Sequence, residues 1–167
     1  MMMRVERVWA MPHKYTFSVP VIASLLKEEM SGDQWADPFC GLHSPAHYTN
    51  DADETVPAME HLDGLEFLKT HQTASLDGVL FDPPYSTEQA LRTYKAKYQG
   101  TAGRAEYWAR CFDEIGRVVK SGGTVISFGW NSNGVGKKRG FAIRRILLIA
   151  HGACHPFDTI VTVDTKI

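Results

Sequence analysis

Residues 76–85 read Leu76-Asp77-Gly78-Val79-Leu80-Phe81-Asp82-Pro83-Pro84-Tyr85. Val79-Leu80-Phe81 is a short apolar run of the kind that forms a buried strand, and it stops abruptly at Asp82. Two consecutive prolines stiffen the chain and have no N–H to donate. The Asp82 carboxylate and the neighbouring carbonyls therefore stand as hydrogen-bond acceptors at a strand end. An aromatic ring beside fixed acceptors suits a flat ligand that carries an amino group.

Outward from this stretch, strands alternate with helices. Pro20 to Met30 places Val21, Leu25 and Leu26 on one face at helical spacing, with proline at the start and Ser31-Gly32 as the stop. Trp35 to Phe39 reads as a strand running into a turn at Gly41, and Ala46 to Thr49 as a second strand. A third is expected to end at His61-Leu62-Asp63, followed by a short helix at Leu65–Lys69. Tyr107, Trp108, Cys111, Phe112, Ile115, Val118 and Val119 fit a helix over 104–120 that Ser121-Gly122-Gly123 ends, before the β-branched strand Thr124–Phe128. Arg145–Ala150 and Thr159–Asp164 form an antiparallel pair, and residues before the Pro20 helix read as irregular. The pattern is α/β, an open, mostly parallel sheet with a C-terminal hairpin. Ligands of such sheets bind beyond the carboxyl ends of the strands.

With 167 residues, 44% of them hydrophobic and 22% charged, the chain is expected to form one globular domain over 1–167. It has no apolar run of about 18 residues, so no membrane span. The start lacks a secretory pattern, and a cytoplasmic location is expected. Three widely spaced cysteines without a Cys-x-x-Cys pair argue against disulfides and structural zinc. His43/His47 and His151/His155 share a spacing of four, but neighbouring prolines and Gly152 oppose a helix there, so no metal site is expected. A formal net charge of −1 gives no general attraction for nucleic acid, which must be met by local basic patches.

The order Asp37-Pro38-Phe39-Cys40-Gly41, then Asp51, Asp63 and Asp82-Pro83-Pro84-Tyr85, resembles the amino-methyltransferases that act on DNA bases with S-adenosylmethionine, in a small form without a separate target-recognition domain. The resemblance covers most of the chain and implies a Rossmann-like methyltransferase fold of about seven strands with helices on both faces. It also implies S-adenosylmethionine as cofactor, held by Lys14, Phe17, Asp37, Phe39, Gly41, Asp51 (ribose) and Asp63 (adenine ring). The catalytic set would be Asp82, Pro83, Pro84 and Tyr85, with Tyr85 stacking on a flipped base. Aspartate in the first position of that motif favours the N6 amine of adenine in DNA. N4 of cytosine, RNA, a protein amide, or a non-catalytic nucleic-acid-binding module are the alternatives.

Two features depart from the family pattern: no second glycine closely follows Gly41, and little chain lies between Tyr85 and the Tyr107 helix. Site selection must then come from short loops, a homodimer or a target-recognising partner. For DNA contact the sequence offers Lys137, Lys138 and Arg139 after a Gly/Asn/Ser-rich loop, with Trp130 at its start as a wall for the base. Arg92, Lys95, Lys97 and Arg104 form a second basic cluster, read as a solvated surface.

Overall fold

The computed structural model describes residues 2–84 and 105–167. Tyr85 and the basic cluster from Arg92 to Arg104 lie outside the described residues. The elements are β1 (Arg4–Trp9), α1 (Pro20–Glu29), β2 (Trp35–Asp37), β3 (Tyr48–Thr49), α2 (Gly64–Thr70), β4 (Leu76–Phe81), α3 (Ala105–Val118), β5 (Val119–Gly129), β6 (Phe141–Ala150) and β7 (Thr159–Lys166). They form one seven-stranded sheet of order β1-β6-β7-β5-β4-β2-β3. Only β7 runs against its neighbours, pairing antiparallel with both β5 and β6.

Alternation along the strands sends side chains to two cores. On one face Ile22, Leu25 and Leu26 of α1 cover Trp35, Leu80, Ile126, Leu147, Ile149, Val161 and Val163. On the other, Leu65, Phe67 and Leu68 of α2 and Cys111, Ile115 and Val118 of α3 cover Ala36, Val79, Phe81 and Val125. The expected α/β sheet, its helices on both faces and its terminal antiparallel pair are all present.

Three local expectations fail, each for a physical reason. The irregular start contains β1, an edge strand parallel to β6. Its charged sequence hides it, because Glu6 is drawn inward by the buried Arg145 at 2.7 Å. The expected third strand is reduced to one bridge, Asn50 to Glu60; Pro57 just before it has no N–H to extend a ladder. Finally, Ser121-Gly122-Gly123 is no helix stop: α3 passes directly into β5, and these residues lie inside the strand. Gly122 has φ +77°, and a Cβ on Gly123 would sit 2.6 Å from Val119 Cγ1 and 2.9 Å from Asp77 O. The adjoining β4/β5 register shifts between Leu76 and Gly78, a bulge that only glycine accommodates without displacing its neighbours.

Candidate active site at the carboxyl edge of the sheet

The parallel strands β2, β3, β4 and β5 end on one edge, and their register sets Asp37, Asn50-Asp51, Asp82 and Trp130 along it. Asp37 is fully buried. Its Oδ1 accepts from the Phe39 N–H at 3.0 Å and its Oδ2 from the Ser44 hydroxyl at 2.6 Å. Burial is the main cause that pushes its carboxyl up to about 8, with the charges of Asp82 and Asp51 adding to the rise. Asp37, Asp51 and Asp82 lie along one edge of neighbouring parallel strands, near enough for their charges to act on one another. Asp37 thus shapes the loop that follows β2 rather than standing open to solvent.

Asn50 locks the next loop, donating to the carbonyls of Pro38 and Leu62 at 3.0 Å each and accepting from the Leu62 N–H at 2.9 Å. Asp51, 2% exposed, accepts from the N–H groups of Gly41 at 3.0 Å and Asp53 at 2.9 Å. Burial raises its carboxyl above the usual range. Gly41 has φ +49°, and a Cβ there would meet nothing within 4 Å, so the loop turns its tip to open space. An open backbone beside an acid with remaining lone pairs fits a hydroxyl-bearing ligand such as a nucleoside.

Of the other expected cofactor contacts, Phe17 lies near this edge, edge-on to Phe128 at 5.7 Å. Tyr15 meets His43 of the β2 loop at 5.4 Å, and Lys14 Nζ lies 4.7 Å from the Tyr15 ring centroid. Phe39 is buried against Phe81 and Trp108 at 5.6 and 5.9 Å, under the loop. Asp63 caps α2, accepting from the N–H groups of Leu65 and Glu66, and its Oδ2 accepts from the Tyr107 hydroxyl at 2.8 Å. Cys40 is buried, and burial first, then the Asp37 and Asp51 charges, pushes its thiol up to about 12, so it stays protonated and unreactive.

Beside Pro83 and Pro84 opens a cavity of about 260 Å³ between β4, β5 and α3. Phe81, Trp108 and Phe112 wall one side; Trp130 and Asn131 stand at the loop that leaves β5. Trp130 stacks on Phe157, centroids 4.5 Å apart and planes inclined by 25°. Phe157 was not foreseen from the sequence. A half-exposed aromatic in the β6–β7 connection, on the same edge as the β5 end, was the available signal.

The structure does not bring Lys137, Lys138 and Arg139 to this edge. They form a short 3-10 turn just before β6, level with the far end of β7, where Phe141 pairs with Lys166. The span from Thr124 to Gly129 alone is roughly 17 Å at about 3.4 Å per residue. Arg139 is also engaged with α3, donating to Asp113 Oδ1 at 2.6 Å and to the Ala109 carbonyl at 3.2 Å. Only Lys137 and Lys138 extend into solvent there.

The floor of the cavity is polar. Ser127 and Thr162 line it and face each other across β5 and β7. Among the described residues neither hydroxyl has a hydrogen-bond partner, and Asp164 is next on the same face of β7. Asp164 is fully buried, and burial pushes its carboxyl up to about 6 against a smaller pull from the Val135 N–H. A buried polar group without a partner costs about 1–3 kcal/mol.

The fold and this edge define the class: a Rossmann-like α/β protein with the architecture of methyltransferases. No protein-family model matches the chain, and no curated protein matches it by sequence. Among solved structures it is similar to TrmN from Thermus thermophilus, with a TM-score of 0.57 and 18% identity over 89% of this chain and 49% of that one. It is also similar to the putative methyltransferase yhhF from Escherichia coli, TM-score 0.54 and 12% identity over 87% and 82%. A third is the Burkholderia thailandensis 1,6-didemethyltoxoflavin-N1-methyltransferase with bound 1,6-didemethyltoxoflavin and S-adenosylhomocysteine, TM-score 0.52 and 9% identity over 79% and 70%. At these identities the likeness is one of fold, and the chain spans about half the length of the Thermus protein. Among the described residues no helix is long and apolar enough to cross a membrane.

Proposed function

We propose that the chain transfers a methyl group from S-adenosylmethionine to the exocyclic N6 amine of adenine in DNA. The observation that carries this reading is the meeting, on one sheet edge, of the Asp37–Asp51 loop pair with Asp82-Pro83-Pro84 and an aromatic-walled cavity. S-adenosylhomocysteine bound to a protein of the same fold supports the choice of cofactor. Gly41, Asp51 and Phe17 would hold it, and when bound it supplies a methyl group on a positively charged sulfur that leaves as a neutral thioether.

The chain's own part is to bind, orient and accept protons. An exocyclic amine is a poor nucleophile because its lone pair is conjugated with the ring. The Asp82 carboxylate and the Pro83 carbonyl accept its two hydrogens and turn that lone pair outward, and Asp82 takes up the proton the nitrogen releases once the carbon–nitrogen bond has formed. Holding the reactants in line contributes up to roughly 7–11 kcal/mol in well-oriented systems. Trp130 and Phe157 offer the base a stacking face outside the helix. Tyr85 is assigned the same task as part of the proposed motif.

Incubation with labelled S-adenosylmethionine and unmethylated DNA, then digestion to nucleosides, tests the reading; N6-methyladenine is expected, and none in Asp82→Ala. One observation favours a second acceptor, a free heterocyclic amine: the described residues that line the cavity include no cation, and Lys137 and Lys138 stand at the other end of the sheet. Replacing DNA by adenosine or cytidine in the same assay distinguishes the two.

A further inference from the structure

Ser127 and Thr162 are half-buried and buried, respectively, on the sheet face that α3 also covers, and Thr162 is 1% exposed. They are direct partners in the β5–β7 ladder, so their side chains start about 4.5–5.5 Å apart. Both residues line the cavity whose lip is Pro83-Pro84, and their hydroxyl oxygens are buried at its floor with no hydrogen-bond partner among the described residues. Phe81, Trp108, Phe112 and Trp130 offer stacking planes, and Asn131 and Asn133 add polar groups on the loop that leaves β5. An apolar cavity would be served better by alanine and valine at these positions, since satisfied or absent polar groups are the rule inside proteins. A hydroxyl pair at the floor is therefore an arrangement that a ligand completes.

We propose that Ser127 and Thr162 form a hydrogen-bonding floor that donates to the ring nitrogens flanking the amine of a purine held at Asp82-Pro83, and so select adenine at this site. This rests on the methyl-transfer reading above. The geometry distinguishes the task of the floor from that of the lip: Asp82 and Pro83 address the exocyclic nitrogen, whereas β5 and β7 address the ring edge beside it. Each hydroxyl can donate one hydrogen, and adenine presents N1 and N7 as acceptors on either side of its amine. Cytosine presents only one such nitrogen, so the pair would be half satisfied there. Asp164, whose carboxyl oxygens lie 2.6 Å from the Cβ position of Gly134, continues the polar strip along the same face of β7.

The test compares the full chain with Ser127→Ala and Thr162→Val on random-sequence single strands synthesised with adenine, 1-deazaadenine or 7-deazaadenine. The parent should lose about tenfold in kcat/KM on at least one deaza substrate, the scale of one hydrogen bond. Each variant should lose about tenfold on adenine, while the penalty for the matching deaza base shrinks to twofold or less. The thermal midpoint of Thr162→Val should stay level or rise, because an unpartnered hydroxyl has been replaced by a methyl of the same shape; a merely structural threonine would lower it. If the parent methylates adenine and the variants keep both its rate and its deaza penalty, the floor has no such role. If the parent methylates nothing, the methyl-transfer reading fails, and calorimetry with adenosine and 7-deazaadenosine decides the floor separately. Adenosine binding weakened about tenfold in Thr162→Val upholds it, and binding that is absent or unchanged overturns it.

Discussion

The Gly41 N–H donates to Oδ2 of Asp51 across 3.0 Å, joining the loop after β2 to the loop after β3. One acid thereby fixes the position of an open backbone turn and stands beside it. Asp51→Ala should weaken S-adenosylmethionine binding by ten- to a hundredfold in calorimetry, within the range for hydrogen bonds to a charged group, about 1.5–3 kcal/mol. Asp51→Asn keeps an acceptor for Gly41 but removes the charge, so its affinity should fall between the two. An unchanged Kd in Asp51→Ala would remove this residue from the cofactor site.

Asp82 and the loop acids share an edge yet are assigned different tasks, and that difference is measurable. Asp82→Ala should lower kcat by roughly 10²–10⁴-fold, the range of positioned proton-accepting groups. Its cofactor affinity should stay within about twofold of the parent, since Gly41 and Asp51 are untouched. Equal losses in both quantities would instead mean that Asp82 supports the whole edge.

Trp130 and Phe157 stack on each other while remaining 42% and 48% exposed. Aromatic surface left in water at the mouth of a cavity is poorly explained by packing alone. Trp130→Ala should weaken binding of an adenine-containing single strand by about 1–3 kcal/mol, read by fluorescence anisotropy. The thermal midpoint should move little, because neither ring is part of the core.

How much of this was legible follows from which interactions are local. The helix at Pro20 and the strands at Trp35, Val79 and Thr124 were readable because apolar spacing and flanking Pro or Gly act within a few residues. Asp37, Asp51 and Asp82 were readable because each follows a strand of a parallel sheet. β1 was not, since its charged residues make sense only through Arg145, far along the chain. The floor of Ser127 and Thr162 was equally hidden, because neither residue is unusual until the β5–β7 register sets them opposite each other. The placement of Lys137 to Arg139 depended on how far the loop after β5 travels before β6 begins, and local sequence carries no measure of that distance.

Arg145 binds three elements together. Its guanidinium donates to Glu6 of β1 at 2.7 Å and to Glu28 and Glu29 of α1 at 2.6 and 2.9 Å, while Arg144 pairs with Glu29 at 2.5 Å. Without Arg145 the buried Glu29 keeps Arg144, Glu6 keeps Arg4 and Glu28 faces water, so the loss stays below the roughly 3–5 kcal/mol of a fully stranded buried charge. Arg145→Ala should lower stability by about 1.5–3 kcal/mol in urea denaturation, the scale of a hydrogen bond to a charged group. Adding Glu29→Gln should deepen the loss, because Arg144 then lacks its carboxylate. A shortfall of less than about 1 kcal/mol in the single variant would show that water replaces the network.

The pH dependence of stability separates Asp37 from the other shifted groups. Its folded carboxyl is pushed up to about 8, whereas an unfolded aspartate titrates near 3.9. Between those values the folded chain holds a proton that the unfolded chain has lost, so stability falls as pH rises through that window. Asp164 acts in the same direction but is finished near its folded value of about 6. His71, lowered by burial first and then by Arg117, acts with opposite sign and below its ordinary 6.5. Asp77 is lowered, chiefly by Lys120 at 2.7 Å, and loses its contribution only in acid. From pH 7 to 8, below the range in which unfolded thiols ionise, Asp37 carries the decline, with Asp51, also raised by burial, acting in the same direction. The urea midpoint of the parent should fall across that interval and go on falling above it, because Cys40 and Cys111, pushed up to about 12, stay protonated in the folded chain while unfolded thiols ionise at about 8.5. Asp37→Asn should lose most of the slope between pH 7 and 8, since its amide can still accept from Phe39 and donate to Ser44 without carrying a charge. A slope retained in the variant would assign the titration to a different group.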